Sequence, residues 1–81
     1  MNFQLINGHF NAKEALEIIT QMVHVKIKFQ ESKIQHASNE EDVKMREGRI
    51  KQLQKDLYEI RKEIELKPKV IEIHSEISIG K

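Results

Sequence analysis

Apolar residues recur at helical spacing in the first half of this chain. One stripe contains Leu16, Ile19, Val23, Ile27 and Ile34. A second stripe beside it contains Ala15, Ile18, Met22, Val25 and Phe29. Because one neighbouring helix covers only a narrow stripe, a helix with two adjacent stripes needs more than one partner. The pattern predicts a first helix over residues 12–36 with a wide apolar face.

The strongest periodicity of the chain is a heptad pattern in residues 39–66. The residues at the two apolar positions of the heptad follow one another at spacings of three and four and form a single stripe, which we call the seam. It contains Val43, Arg46, Ile50, Leu53, Leu57, Ile60 and Ile64. This spacing predicts a second helix with a narrow, coiled-coil-like seam. Arg46 stands where an aliphatic residue is expected. We expect its side chain either to snorkel outward near the open end or to make a register-setting contact with an acid of a partner helix.

Capping residues mark where both helices begin. Asn11, followed three residues later by Glu14, has the pattern of a capping box. The segment 38–42 offers two alternatives for the second helix, Ser38 with Glu41 or Asn39 with Asp42. Pro68 is expected to end that helix because it has no amide proton. The short connection between the helices makes them antiparallel neighbours.

Strand patterns flank the two helices. Residues 2–6 form a possible short strand, which a turn at Asn7-Gly8 is expected to close. In residues 70–79 the period changes to two, with Ile71, Ile73, Ile77 and Ile79 on one face around Ser75. A lone strand cannot satisfy its backbone groups, so it needs either the N-terminal segment, its own copy or another protein.

The resulting fold class is mainly α. We expect a single domain over residues 1–81, built as an antiparallel two-helix hairpin with a short N-terminal strand and a C-terminal β-strand. The surplus apolar surface favours a homo-oligomer, with a dimeric four-helix bundle as the simplest form. A specific hypothesis pairs two copies of the last strand antiparallel about Ser75. The expected oligomer interface comprises Leu16, Ile19, Val23, Ile27, Ile50, Leu53, Leu57, Ile60, Ile71, Ile73, Ile77 and Ile79.

Composition narrows the classes of protein that remain. The chain has 81 residues, a net charge of +1 and no cysteine, so disulfides cannot support a small core. The first ten residues lack the pattern of a secretory signal, and the longest apolar runs are far shorter than a membrane span. The expected location is therefore the cytoplasm, with no membrane partner.

No catalytic or metal-binding motif is recognisable. The four histidines are scattered along the chain, and neither a nucleophile elbow nor a phosphate-binding loop is present in the sequence. We therefore expect no enzyme activity, no cofactor and no metal. His74 lies between Glu72 and Glu76, whose carboxylates favour its charged form and could make strand pairing sensitive to pH.

Basic residues suggest an alternative function. Residues 44–55 carry five lysines and arginines against a single acid, Glu47, which gives a local charge of +4. A basic stripe of this kind is typical of phosphate binding. The acids at 40–42 neutralise part of it, and no aromatic residue is interleaved for base stacking. The possible phosphate contacts are Lys44, Arg46, Arg49 and Lys51.

Several short motifs resemble those of a known protein family. They are Ile6-Asn7-Gly8-His9-Phe10, Glu14-Ala15, Glu17-Ile18, Lys26-Ile27-Lys28-Phe29 and Arg49-Ile50-Lys51-Gln52-Leu53. Over residues 5–65 the chain is similar to short, uncharacterised helical-hairpin proteins of Bacteroidetes bacteria. The family pattern has a histidine where this chain has Gln30, and it ends near the second helix. The resemblance implies a bacterial, cytoplasmic hairpin and no particular activity.

Two functions remain as hypotheses. The leading one is a small homo-oligomeric interaction or structural protein that presents its polar faces to an unidentified protein partner. The alternative is a nucleic-acid-associated regulator, similar to an antitoxin, that uses the basic helix face.

Overall fold

The computed structural model describes residues 1–66 and 70–80. Across these residues the chain forms β1 (Asn2–Phe10), α1 (Ala12–Gln35), α2 (Glu40–Leu66) and β2 (Ile71–Ser78). The strands β1 and β2 pair antiparallel, so both lie at the open end of the helical hairpin. The mainly helical fold with a strand on each side is confirmed. The expected helix stop at Pro68 lies outside the described residues.

Side-chain caps fix where the helices begin. The Asn11 side-chain oxygen accepts a hydrogen bond of 2.8 Å from the Glu14 backbone N–H, and the Glu14 carboxylate accepts one of 3.2 Å from the Asn11 N–H. This is the predicted capping box. At α2 the Asn39 side chain accepts a bond of 2.8 Å from the Asp42 N–H. Of the two alternatives for this cap, the structure therefore uses Asn39.

The first strand is longer than the sequence predicted. No turn forms at Asn7-Gly8, because β1 continues through both residues to Phe10. Asn7 lies opposite His74 in β2, and Gly8 lies opposite Ile73. The described glycines all lack the positive φ that a tight turn of this type would require. Pairing with a strand distant in sequence thus overrides the local turn signal, and the N-terminal segment is the partner of β2.

A β-bulge at Leu5 controls which residues of β1 face the helices. The register shifts between Gln4, which lies opposite Glu76, and Ile6, which lies opposite Ser75. Strict alternation would place Phe3 and Ile6 on opposite faces of the sheet. The extra residue in β1 resets the alternation, so Phe3 and Ile6 both lie on the face of β2's isoleucines. The bulge thereby collects the apolar residues of β1 on one side.

The core of the described chain is small. Ala15, Val23 and Ile64 are its buried apolar residues, with exposed fractions of 0%, 9% and 5%. Ala15 lies in the first turn of α1 and Ile64 in the last turn of α2, at the end of the hairpin where the strands attach, whereas Val23 lies in the middle of α1. The other seam residues along the hairpin are half-buried.

The molecule is flat and has two arms. Its extents are 47 × 32 × 13 Å. A helix of 24 residues is about 36 Å long, and a strand of nine residues is about 30 Å long. Strands that continued the helix direction would make the molecule much longer, and strands that folded flat along the helices would make it narrower. The sheet therefore runs crosswise to the hairpin, and the thin dimension is the width of a helix pair.

Gly48 weakens α2 without any packing benefit. No described atom lies within 4 Å of the position that a Cβ would occupy there, apart from the helix's own neighbouring backbone. Replacing Gly48 by Ala should therefore raise the free energy of unfolding by about 1 kcal/mol, because alanine has the higher helix propensity. Urea unfolding at fixed protein concentration measures this gain. The substitution Gly80→Ala, outside the helices, serves as the control and should leave stability unchanged.

Candidate interaction surface

One face of the molecule combines apolar residues from the sheet and from α1. We call this surface the concave face. Its sheet part is the side of Ile71 and Ile73, and it contains Phe3, Ile6, Phe10, Ile71, Ile73 and Ile77. Its helix part is the second apolar stripe of α1, which contains Ala15, Ile18, Met22, Val25 and Phe29. The beginning of this stripe is covered, since Ala15 is fully buried, and both strands of the sheet pack against α1.

Coverage falls off along both arms of the concave face. On α1, Ala15 is buried and Met22 is half-buried, but Val25 is 67% and Phe29 55% exposed. On the sheet, Ile71 and Ile73 are half-buried, whereas the pair Phe3 and Ile77 near the far end is 49% and 39% exposed. The apolar surface that the chain does not cover for itself thus lies away from the corner, on both arms.

Charged residues border the concave face in two groups. Lys26 and Lys33 lie 11 and 18 residues after Ala15, so they share its side of α1. On α2, Arg49 and Asp56 line the same groove as Lys26. Glu63 lies seven residues after Asp56 and therefore shares its side of α2. The half of the hairpin near the connection is basic on this face, and the half near the sheet is acidic.

The structure places most of the predicted interface residues inside the hairpin. The hydrogen bond between Gln30 and Arg46 marks the sides on which α1 and α2 face each other. The predicted residues of α1 lie at helical spacing from Gln30, and those of α2 lie at helical spacing from Arg46, so they share these facing sides. This seam set is half-buried except for Val23, which is buried; it contains Leu16, Ile19, Val23, Ile27, Ile50, Leu53, Leu57 and Ile60. Of the C-terminal residues in the prediction, Ile71 and Ile73 of β2 are half-buried, whereas Ile77 of β2 and Ile79, just after it, are exposed.

Arg46 binds two side chains of its own chain. Its guanidinium donates a hydrogen bond of 2.9 Å to the side-chain oxygen of Gln30 on α1. On α2 its Nε lies 3.3 Å from a carboxylate oxygen of Asp42, one turn away. The side chain is 18% exposed, so this ion pair is partly shielded from solvent. Arg46 thus links the two helices of one hairpin through a glutamine, which the sequence analysis did not identify.

The four predicted phosphate contacts do not form one surface. Arg46 lies in the seam and is engaged there. Lys44 and Lys51 are seven residues apart, so they share a side of α2 and are exposed. Arg49 lies two residues before Lys51, about 200° around the helix, and therefore on a different side.

His74 forms an ion pair with Glu72 on the outer face of the sheet. The pKa of the Glu72 carboxyl is lowered, chiefly because the His74 ring hydrogen-bonds to it and to a lesser degree through the charges of His74 and His9. His9 is the cross-strand neighbour of Glu72. A carboxyl whose folded pKa lies below its unfolded value stabilises the fold above the unfolded value. This contribution is lost as the pH falls through the lowered pKa.

Replacing His74 by Ala should raise the pKa of Glu72 toward its ordinary value, because the main cause of the lowering is removed. NMR titration of the side-chain carboxyl carbon measures this change directly. His24→Ala is the matched control, since His24 is an exposed histidine on α1 and does not contribute to the pKa of Glu72. An unchanged pKa of Glu72 in the His74 variant would contradict the assignment.

The remaining surface offers open grooves. One of them, about 480 Å³, lies at the connection between the helices and is lined by Ser38, Asn39 and Lys44 among others. Within residues 1–66 and 70–80, no group of three histidine or acidic side chains could hold a metal ion. Neither α1 nor α2 is apolar enough along its length to cross a membrane.

The chain matches no protein family, no curated protein and no solved structure. The similarity to the Bacteroidetes hairpin proteins stays a prediction, and so does the absence of enzyme activity. The candidate surface is therefore defined by its geometry alone.

Sequence reasoning missed part of this surface. It identified the stripe on α1 and the isoleucines of β2, but it left out Phe3, which is 49% exposed on the sheet. The alternation of apolar residues in 2–6 was the available signal for Phe3. The bulge that aligns Phe3 with Ile6 could not be read from it, because a bulge depends on the pairing with β2.

Proposed function

We propose that this protein is a small homo-oligomeric structural or interaction protein without catalytic activity, and that its smallest assembly is a dimer. Its hairpins combine into a helical bundle with coiled-coil-like packing, and its polar faces are free to bind a further protein. The similarity to bacterial hairpin proteins favours the bacterial cytoplasm as its location. The concave face supports the proposal, because it leaves large apolar side chains in solvent.

The amount of exposed surface is the observation that carries this proposal. The chain exposes 6706 Å², whereas a compact monomer of 9.6 kDa is expected to expose about 5,100 Å². Its radius of gyration is 15.3 Å, against about 12 Å for a compact domain of this length. The excess of about 1,600 Å² per chain is more than a standard dimer interface removes from each partner, about 800 Å².

Light scattering coupled to size-exclusion chromatography tests the proposal. At tens of micromolar protein we expect twice the chain mass of 9.6 kDa, or a higher multiple. A mass of one chain at every concentration up to the millimolar range would overturn it. Lowering the concentration until the mass falls gives the dissociation constant, which the variants described below are designed to change.

A nucleic-acid-associated regulator is the alternative function, and the exposed pair Lys44 and Lys51 is its remaining support. Fluorescence anisotropy with short labelled duplexes tests it. If these lysines contact phosphates, affinity should fall steeply between about 50 and 200 mM salt, and Lys44→Gln with Lys51→Gln should weaken binding uniformly across sequences. No binding at 50 mM salt would remove this alternative.

A further inference from the structure

We infer that two copies pack face to face through their concave faces, with the two α1 helices antiparallel and Met22 next to the twofold axis. This arrangement rests on the proposed homo-oligomer and specifies its geometry. It differs from a dimer made by pairing β2 with its own copy about Ser75, because it uses a face of the sheet and of α1, and leaves the strand edges unused.

The shape of the chain favours a second copy as the partner. The uncovered apolar residues lie on two arms that meet at a large angle, so a flat partner would touch one arm only. A second two-armed chain, turned end for end, places its hairpin inside the angle of the first. Each hairpin then lies against the helix arm of the other copy and points its connection toward the other copy's sheet. Both exposed arms are covered by the same contact.

The apolar stripe of α1 is suited to antiparallel self-packing. Met22 lies at its midpoint, with Ala15 seven residues before it and Phe29 seven residues after it. An antiparallel pair centred on Met22 therefore brings Phe29 of one copy to the level of Ala15 in the other. Ala15 lies at the corner where helix and sheet meet and is fully buried by its own chain. The exposed Phe29 ring thus reaches the apolar corner of the partner, against the inner side of the sheet.

Charge complementarity selects the antiparallel direction. On the concave face the half of the hairpin near the connection carries Lys26, Lys33 and Arg49. The half near the sheet carries Asp56 and Glu63 on the same side of α2. Reversing one hairpin relative to the other places the basic half of each copy opposite the acidic half of its partner, whereas a parallel arrangement would place like charges together. Arg49 and Asp56 lie almost symmetrically about the middle of α2, so they become neighbours across the axis.

The decisive experiment uses the natural absence of cysteine from the chain. A single substitution, Met22→Cys, introduces one thiol next to the axis of the full-length protein. Under mild oxidation we expect most of the protein to form a disulfide-linked dimer. A residue comes close to the same residue of the other copy only if it lies near the twofold axis, and a disulfide requires such closeness. His24→Cys is the matched control: it lies two residues after Met22, about 200° around the helix, is exposed, and is on the side of α1 away from the stripe. It should crosslink at least ten times more slowly.

A charge exchange supplies a second readout that needs no oxidation. Arg49→Glu alone and Asp56→Arg alone should each raise the dissociation constant of the dimer several-fold. The double variant should restore it, because the reversed charges again face each other across the axis. Light scattering or sedimentation equilibrium measures all three constants.

The outcomes separate the geometry from the proposed function. A dimeric mass with equal crosslinking of Met22→Cys and His24→Cys, or a double charge variant weaker than either single one, would overturn the antiparallel arrangement and leave the homo-oligomer intact. A monomeric mass at all concentrations would overturn both. Crosslinking selective for Met22→Cys together with charge rescue supports the arrangement.

Discussion

Replacing Phe29 by Glu should convert the dimer to monomers at micromolar concentrations. Fully burying an aromatic side chain of this size contributes about 1.5–3 kcal/mol, about half of the Phe29 side chain remains to be buried by a partner, and the loss occurs twice in a twofold dimer. The dissociation constant should therefore rise by at least about tenfold. Phe29 is already 55% exposed in the single chain, so the hairpin itself should fold with an unchanged circular dichroism spectrum. Sedimentation equilibrium over a range of concentrations measures the effect.

Tyr58 provides a closely matched control for this experiment. It is 60% exposed, and Lys62 lies over its ring at 4.6 Å, just as Lys33 lies over the ring of Phe29 at 5.5 Å. Tyr58 lies nine residues after Arg49, which places it on the opposite side of α2 from the concave face. Tyr58→Glu should leave the dissociation constant within about twofold. Equal weakening by both substitutions would show that dimerisation does not use the concave face.

Ile64→Ala should cause the largest loss of stability of any single truncation in the chain. Ile64 is 5% exposed and belongs to the small core where the helices meet the sheet. Truncating a buried isoleucine costs about 2–5 kcal/mol, because contacts are lost and a cavity remains. A domain of 81 residues has a free energy of unfolding of only about 4–12 kcal/mol, so the variant loses a large part of its stability. Urea unfolding followed by circular dichroism at fixed concentration measures the loss.

Leu66→Ala tests whether the loss at Ile64 comes from burial. Leu66 lies two residues later in the same helix and is 80% exposed, so its truncation removes apolar atoms of equal number without leaving a cavity. We expect a change within about 0.5 kcal/mol. If both variants unfold at the same urea concentration, the region around Ile64 is not the core of the folded chain.

Features set by residues close in sequence were predictable. The capping box at Asn11 depends on two residues three apart, and α1 begins at Ala12 as its pattern indicated. The heptad spacing from Val43 to Ile64 located α2 for the same reason, since the residues that share one side of a helix are only three or four positions apart in the sequence. The alternation in the last segment likewise indicated β2 to within one residue at each end.

Features that depend on distant residues were not predictable. The Asn7-Gly8 dipeptide signals a turn when its neighbours pair with each other, but here its partners are His74 and Ile73, far along the chain. The hydrogen bond from Arg46 to Gln30 likewise depends on how the two helices are aligned. The seam pattern fixed which side of each helix faces the other, but it could not distinguish contacts within one hairpin from contacts between two.

The pairing of β1 with β2 also orders the events of folding. Residues of this sheet are joined across nearly the whole chain, from Asn2 with Ser78 to Phe10 with Ile71. The entropy lost in closing so long a loop is recovered only after the helical hairpin has brought the two ends together. The helices should therefore gain protection from hydrogen exchange before the strands do. The sheet closes the fold last and completes the corner that receives the second copy in the proposed dimer.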